Sequence, residues 1–279
     1  MRKLSFHRTP PPIALLTDFG TSDHYVGVMK GVIAGICPEA RIIDLSHNVR
    51  RQDVTQAAFM LSASYSYFPD DTIFACVVDP GVGTDRDVLC ARFQKRLFVA
   101  PDNGLLSILA SENEIDSLYT VENEKYLLEG QEGSRTTFDG RDVFAPVAAH
   151  LADGVDADDL GPPRARLKDL SLPHPVKTAA GMLNGQIIHV DQFGNLITNI
   201  SAATLQATFR TSLQKVKVRI GGQTIDGISR GYADAEEGEV LALISSSGYL
   251  EVAVNQGSAT DELGCSRGDE VRTSVRGGS

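Results

Sequence analysis

Two apolar runs, "IALLTDFG" (13–20) and "TIFACVVDPG" (72–81), each reach a carboxylate and then a glycine, and a helical pattern lies between them. No other feature limits the possible folds as strongly. Residues 22–36, "SDHYVGVMKGVIAGI", space Tyr25, Val28, Met29, Val32, Ile33 and Ile36 along one helical face. Ser22 is placed to cap that helix, and Asp23 suits its first turn. "RIIDLSH" (41–47) reads as a second strand, and Asp53 can open a second helix through residue 68. The run at 72–81 is almost unbroken, which implies a strand buried on both faces. "VLCARF" and "RLFVAPDNG" form a pair across Gln94-Lys95, and "GLLSILASEN" and "RDVFAPVAAHLADG" are helical. The order β-α-β-α-β specifies an α/β domain with a largely parallel sheet over residues 13–165. Ligands of such sheets bind outside the carboxyl ends of the strands, where Asp18 and Asp79 stand.

The pattern changes at "GPPRARLKDLSLPHP" (161–175), and residues 166–180 read as a linker. Beyond it, "GQIIHV", "NLITNI", "KVKVRI", "VLALIS", "YLEVAV" and "EVRTSV" are short strands separated by polar turns, which predicts a small all-β barrel over 181–275. A formal net charge of −10 argues against a nucleic-acid partner. No run is long enough to span a membrane. The basic start "MRKLSFHRTPPP" lacks an apolar stretch and reads as a tail rather than a signal peptide. Cys37, Cys76, Cys90 and Cys265 show no CxxC spacing, which fits reduced thiols in a cytoplasmic protein.

The stretch "VVDPGVGTDR" (77–86) carries the candidate chemistry. It lacks the Lys and the spacing of a phosphate loop, and its carboxylates repel phosphate. Asp18, Asp23, Asp79, Asp102, Asp139 and Asp142 are oxygen donors suited to Mg²⁺, but acids in loops more often cap helices and form turns, so no metal is expected. The histidines show no zinc pairing, and no GxSxG elbow is present. Read from the residues alone, Asp79 and Arg86 fit two roles: a turn-stabilising ion pair, or a carboxylate that handles water.

Six motifs in order resolve that choice: "LLTDFGTSDHYVGVMKGVI", "VVDPGVGTDR", "VAPDNGLLS", "TFDGRDVFAPVAAHLA", "DQFGNLITNI" and "SSSGYLEVAVNQGSA". Together, over about residues 13–273, the chain resembles the S-adenosylmethionine hydroxide adenosyltransferases, relatives of the enzymes that make 5′-fluoro- and 5′-chloro-5′-deoxyadenosine. The resemblance implies hydrolysis of S-adenosylmethionine to adenosine and methionine by in-line attack of water on ribose C5′. It implies no cofactor, and a homotrimer with each site between the first domain of one subunit and the second domain of the next. It assigns Asp18 to the ribose diol and Asp23 and Asp191 to the methionine ammonium. Phe193 and Tyr232 go to the faces of adenine, Asn195 to its edge, and Ser246 to the methionine carboxylate. Thr137, Phe138, Ser247 and Asn255 are further substrate-binding positions, Ser247 replacing an Arg of the fluoride enzymes.

The same resemblance makes Asp79, Arg86 and Asp139 the catalytic set. The halide enzymes carry Tyr at the position of Asp79. The hydroxide enzymes usually read "TFHGRD" where this chain reads "TFDGRD", so Asp139 replaces a His better matched to proton transfer near neutrality. If Asp79 and Asp139 face one another, the coupled pair can act as the base. Two rival readings stay open at this point: binding of S-adenosylmethionine or adenosine without turnover, and halide transfer.

Overall fold

The computed structural model describes residues 9–128, 137–170 and 173–275, in two units, Met1–Leu170 and Ser171–Ser279. The first unit contains strands β1 (Ile13–Thr17), β2 (Ile42–Ser46), β3 (Ile73–Val77), β4 (Val88–Phe93), β5 (Arg96–Pro101) and β6 (Ser117–Thr120). Its helices are α1 (Tyr25–Ile36), α2 (Val54–Ser64), α3 (Ser107–Glu112) and α4 (Ala145–Ala152).

The strand order is β2-β1-β3-β5-β4-β6. β2, β1, β3 and β5 run parallel, whereas β4 is antiparallel to both β5 and β6. The sheet is therefore mixed, a parallel set of four strands extended by the antiparallel-paired β4 and β6. The cause is local: Gln94 and Lys95 both have positive φ (44° and 67°), the two-residue turn that folds β4 back on β5.

Alternation along the strands builds two cores. Ile13 and Leu15 of β1 and Ile73, Ala75 and Val77 of β3 pack with Met29, Ile33, Val147 and Phe144. Ala14, Leu16, Phe74 and Cys76 pack on the other face with Leu61, Phe98, Leu105 and Leu109. Burying both faces is what the unbroken apolar runs require. Asp53 caps α2 by accepting the Gln56 N–H at 2.9 Å. Ser22 does not cap α1. That helix starts at Tyr25 after a bend over 21–24, and no side chain caps it; the His24 ring instead stacks on Tyr25 at 4.6 Å.

Residues 164–170 belong to the first unit and are tied to its earlier segments. The Arg164 guanidinium engages Asp87 and Asp102, and the Leu170 N–H donates to Ser107 Oγ at 2.9 Å.

In the second unit, β7 (Val176–Lys177), β8 (Leu183–Val190), β9 (Leu196–Ser201), β10 (Val216–Ile220), β11 (Gln223–Asp226), β12 (Val240–Ile244), β13 (Tyr249–Val254) and β14 (Glu270–Val275) are all antiparallel. Their path β11-β10-β14-β8-β9-β13-β12 nearly closes, since Ser229, just past β11, bridges to Leu243 of β12. Two short helices, α5 (Ala202–Phe209) and α6 (Ala259–Leu263), interrupt the β pattern behind the caps Ser201 and Ser258. Among the described residues no helix is long and apolar enough to cross a membrane.

The Asp53 cap sets the start of α2, so Asp53→Ala is expected to destabilise the first unit by about 1 kcal/mol, measured as a lowered urea midpoint with unchanged slope.

Candidate active site

β1 and β3 lie side by side with Thr17 opposite Val77, which places Asp18 and Asp79 at neighbouring strand ends. The chain leaves β1 toward β2 on one side, while β5 lies on the other side of β3; ligands of open α/β sheets gather at such points.

Asp79 is held by its own turn. The Gly81 N–H donates to Asp79 Oδ1 at 3.0 Å, and the Thr84 hydroxyl closes the loop on the Gly81 carbonyl at 2.6 Å. The Arg86 Nε donates to Asp79 Oδ2 at 2.7 Å, with Nη2 2.5 Å from the same oxygen. That Nη2 also donates to Asp139 Oδ2. The Asp79, Arg86 and Asp139 side chains are only 4%, 13% and 14% exposed. Burial by itself would lower the Arg86 pKa, but the hydrogen bonds and charges of Asp79 and Asp139 outweigh it and hold the guanidinium above its ordinary value. The Arg86 guanidinium also lies 5.8 Å from the centroid of the Phe144 ring. The two acids are thus joined through a shared cation.

Asp139 immediately precedes a π-helical turn, Gly140–Phe144, a distortion frequent at functional sites. A side chain at Gly140 would meet Phe138 at 2.8 Å, so glycine lets the Phe138 ring lie against this turn. Phe138 meets Phe19 and Tyr25 at 5.6 and 5.1 Å between ring centroids, forming an aromatic wall next to Asp139. Thr137 and Asp23 are exposed. Asp18 is half-buried and accepts the Gln52 N–H at 2.7 Å. Among the described residues no three His, Cys, Asp or Glu groups converge as metal ligands.

The second unit holds its own group. The 191–195 turn folds around Asp191, whose Oδ1 accepts the N–H groups of Phe193 and Asn195, both at 2.9 Å, and whose Oδ2 accepts Asn195 Nδ2 at 3.0 Å. Gly194 has φ +82°, and a Cβ there would lie 2.2 Å from Ser258 Oγ, so the turn demands glycine. The outcome is a buried Asn195 beside a Phe193 that is 69% exposed. Such a large unsupported ring suits a stacking role. The Tyr232 hydroxyl donates to Glu251 Oε1 at 2.6 Å. Burial, then the Glu251 hydrogen bond and the Glu251 and Asp191 charges, push the Tyr232 pKa up. The Asn255 amide donates to the Ala235 carbonyl at 2.9 Å, close in sequence to Tyr232. Ser246 and Ser247 lie in the β12–β13 turn, at the opposite end of β13 from Asn255, and the Ser247 and Ser245 hydroxyls are 2.7 Å apart.

Comparison with known proteins matches both halves. Residues 13–161 fit the SAM hydroxide adenosyltransferase N-terminal domain and residues 185–272 the SAM hydroxide adenosyltransferase C-terminal domain. The chain belongs to the SAM hydroxide adenosyltransferase family. It is 36% identical to the (R)-S-adenosyl-L-methionine hydrolase of Thermus thermophilus over 94% of this chain and 98% of that protein. It is 31% identical to a fluorinase of an Actinoplanes species, over 88% and 91% of the two chains. A crystal structure of an uncharacterized conserved protein from Thermotoga maritima superposes with a TM-score of 0.87 at 37% identity, covering 95% of this chain and all of that one.

Within this family member, two supporting residues went unassigned from sequence. Asn103 of "APDNG" donates through Nδ2 to the Val78 carbonyl at 2.8 Å and so fixes the end of β3 beside Asp79; its place in an ordered motif was the available signal. Glu251, buried in β13, gave no signal beyond a charge within an apolar strand.

Two outcomes follow from these charges. Arg86→Leu strands Asp79 as a buried, uncompensated anion, and a loss of about 3 kcal/mol is expected by urea unfolding at pH 7. Burial raises the Glu251 pKa above its ordinary 4.5, the Tyr232 hydrogen bond opposes this, and the Asp191 charge adds to it. An acid raised in the folded state contributes its stability below the unfolded value and loses it as pH climbs through the folded value. Glu251→Gln keeps the acceptor for Tyr232 and drops the charge, so its stability relative to the unmodified protein should rise between pH 4 and pH 8 in parallel melts.

Proposed function

We propose that the protein hydrolyses S-adenosylmethionine to adenosine and L-methionine by in-line attack of water on ribose C5′. The observation that carries this reading is the buried Asp79–Arg86–Asp139 assembly at the end of β3, in a chain whose relatives are named (R)-S-adenosyl-L-methionine hydrolase. The sulfonium is already an activated leaving group. As the new O–C5′ bond forms, the C5′–S bond breaks, its electron pair stays on sulfur, and the attacking water gives up one proton.

Arg86, held above its ordinary pKa by its two partners, keeps its protons. It orients the carboxylates, and the water proton passes to a carboxylate, with Asp139 as the water-side partner. Asp79 accepts a hydrogen bond from the water and repels a competing halide anion. The Phe19–Tyr25–Phe138 wall limits solvent around the reacting carbon.

Asp18 binds the ribose diol, with Asp23, Thr137 and Phe138 completing the first unit's share. Phe193 and Tyr232 stack on adenine, Asn195 meets its edge, Asp191, Ser246 and Ser247 take the methionine end, and Asn255 is a further substrate contact. The resemblance supports a homotrimer that joins the first unit of one subunit to the second unit of the next. S-Adenosylmethionine is the substrate, and no cofactor enters the reaction. Four buried, unpaired cysteines accord with a reducing, cytoplasmic setting.

The deciding experiment incubates purified protein with S-adenosylmethionine in ¹⁸O-water. Adenosine labelled at the 5′-oxygen and an equivalent of methionine are expected. Tight binding without methionine release identifies a binding protein instead, and 5′-haloadenosine in halide buffer identifies halide transfer. Asp139→His is expected to raise turnover near neutrality and to move the pH–rate profile, within the roughly 10²–10⁴-fold range of general-base assistance; an unchanged profile removes Asp139 from proton transfer.

A further inference from the structure

The end of β1 is bolted to the segment that follows β2. The Gly20 N–H donates to the His47 carbonyl at 2.8 Å. Thr17 Oγ1 and His47 Nδ1 are 2.9 Å apart, and Thr17 Oγ1 also accepts the Phe19 N–H at 3.3 Å. Thr17 and His47 are both buried. The Gln52 N–H reaches Asp18 Oδ2 directly, from a residue at φ 63°, a conformation a non-glycine residue adopts only when its surroundings impose it.

The surroundings are visible. The Gln56 Oε1 accepts the Arg50 N–H at 2.7 Å while the Gln56 N–H is capped by Asp53. On its other side the His47 ring is bounded by Asp44, whose Oδ1 is 3.1 Å from Nε2, with Asp44 Oδ2 held by Lys30 at 2.7 Å. His47 therefore links β2, the end of β1 and the 47–53 segment through both its ring and its carbonyl, directly behind Asp18.

A carboxylate that grips two vicinal hydroxyls must hold its plane relative to both, and a turn free to rotate loses most of that selectivity. We propose that His47 is a positioning residue which, through Thr17 and its own carbonyl, fixes the 17–20 turn so that Asp18 meets the ribose diol in one geometry. The inference rests on the reading of Asp18 given under the proposed function.

Ribose discrimination tests it without requiring turnover. Adenosine and 2′,3′-dideoxyadenosine are titrated calorimetrically into the full-length protein and into His47→Leu, His47→Asn and Thr17→Val. The unmodified protein is expected to favour adenosine by roughly ten- to hundred-fold, as for hydrogen bonds to a charged acceptor. His47→Leu and Thr17→Val should bring that ratio within about three-fold while affinity for the dideoxynucleoside stays nearly constant. His47→Asn, whose amide can still reach Thr17 Oγ1, should keep most of the preference. A wild-type ratio in His47→Leu or Thr17→Val overturns the positioning role. Equal affinities in the unmodified protein overturn the diol role of Asp18 itself, and the inference with it. Should those two variants fail to fold, the His47 ring ¹⁵N signals of the unmodified protein decide: a shift with adenosine but not with its dideoxy analogue supports the inference, and any other pattern overturns it.

Discussion

A single guanidinium, Arg86, holds carboxylates from two distant parts of the chain, and the arrangement of acids at the end of β3 depends on it. Asp79 belongs to the turn after β3, and Asp139 immediately precedes the π-helical turn ahead of α4. Two anions brought this close inside a protein repel one another unless a cation lies between them. Lys would supply the charge but not the planar fork that reaches both partners. One guanidinium offsets only one of the two carboxylate charges, so the group keeps an excess of negative charge and carboxylate lone pairs. The aromatic wall of Phe19, Tyr25 and Phe138 keeps the adjacent space apolar.

That ion network needs a rigid floor, and the sheet provides it. β1 and β3 are buried on both faces, so neither strand can slide without moving two cores. Asn103 ties down the end of β3, and His47 with Gln52 ties down the end of β1. Neighbouring parallel strands consequently present Asp79 and Asp18 from fixed points. The second unit follows a different logic. Carboxylates fix its candidate groups: Asp191 shapes the turn that exposes Phe193, and Glu251 of β13 anchors the Tyr232 hydroxyl. In both units acidic side chains do structural work as hydrogen-bond acceptors, which accounts for part of the chain's net negative charge.

Much of this was legible in the residues. Alternation and unbroken apolar runs identify β1, β2 and β3, the Gln94-Lys95 hairpin and the strand-rich second half, because burial on one or two faces leaves a period in the sequence. Caps are less legible: Asp53 acts as one and Ser22 does not, since a cap requires the chain to arrive at the right angle, and the bend at 21–24 turns it elsewhere. The polar strand β11 and the helices α5 and α6 escaped for a related reason. Edge strands and one- or two-turn helices bury too little to impose a pattern.

For the site, sequence order alone fixed which residue types were available: carboxylates at the ends of apolar strands, an arginine seven residues beyond Asp79, and an aspartate in "TFDGRD". Those follow from covalent order and from local hydrophobic periodicity, which are properties of a linear chain. Tertiary structure decided that Arg86 would reach Asp139 as well as Asp79, and that His47 would pair with Thr17 next to Asp18. These depend on which segments meet across 30 or more residues. Such meetings are chosen by the collective packing of two cores, so no local pattern records them.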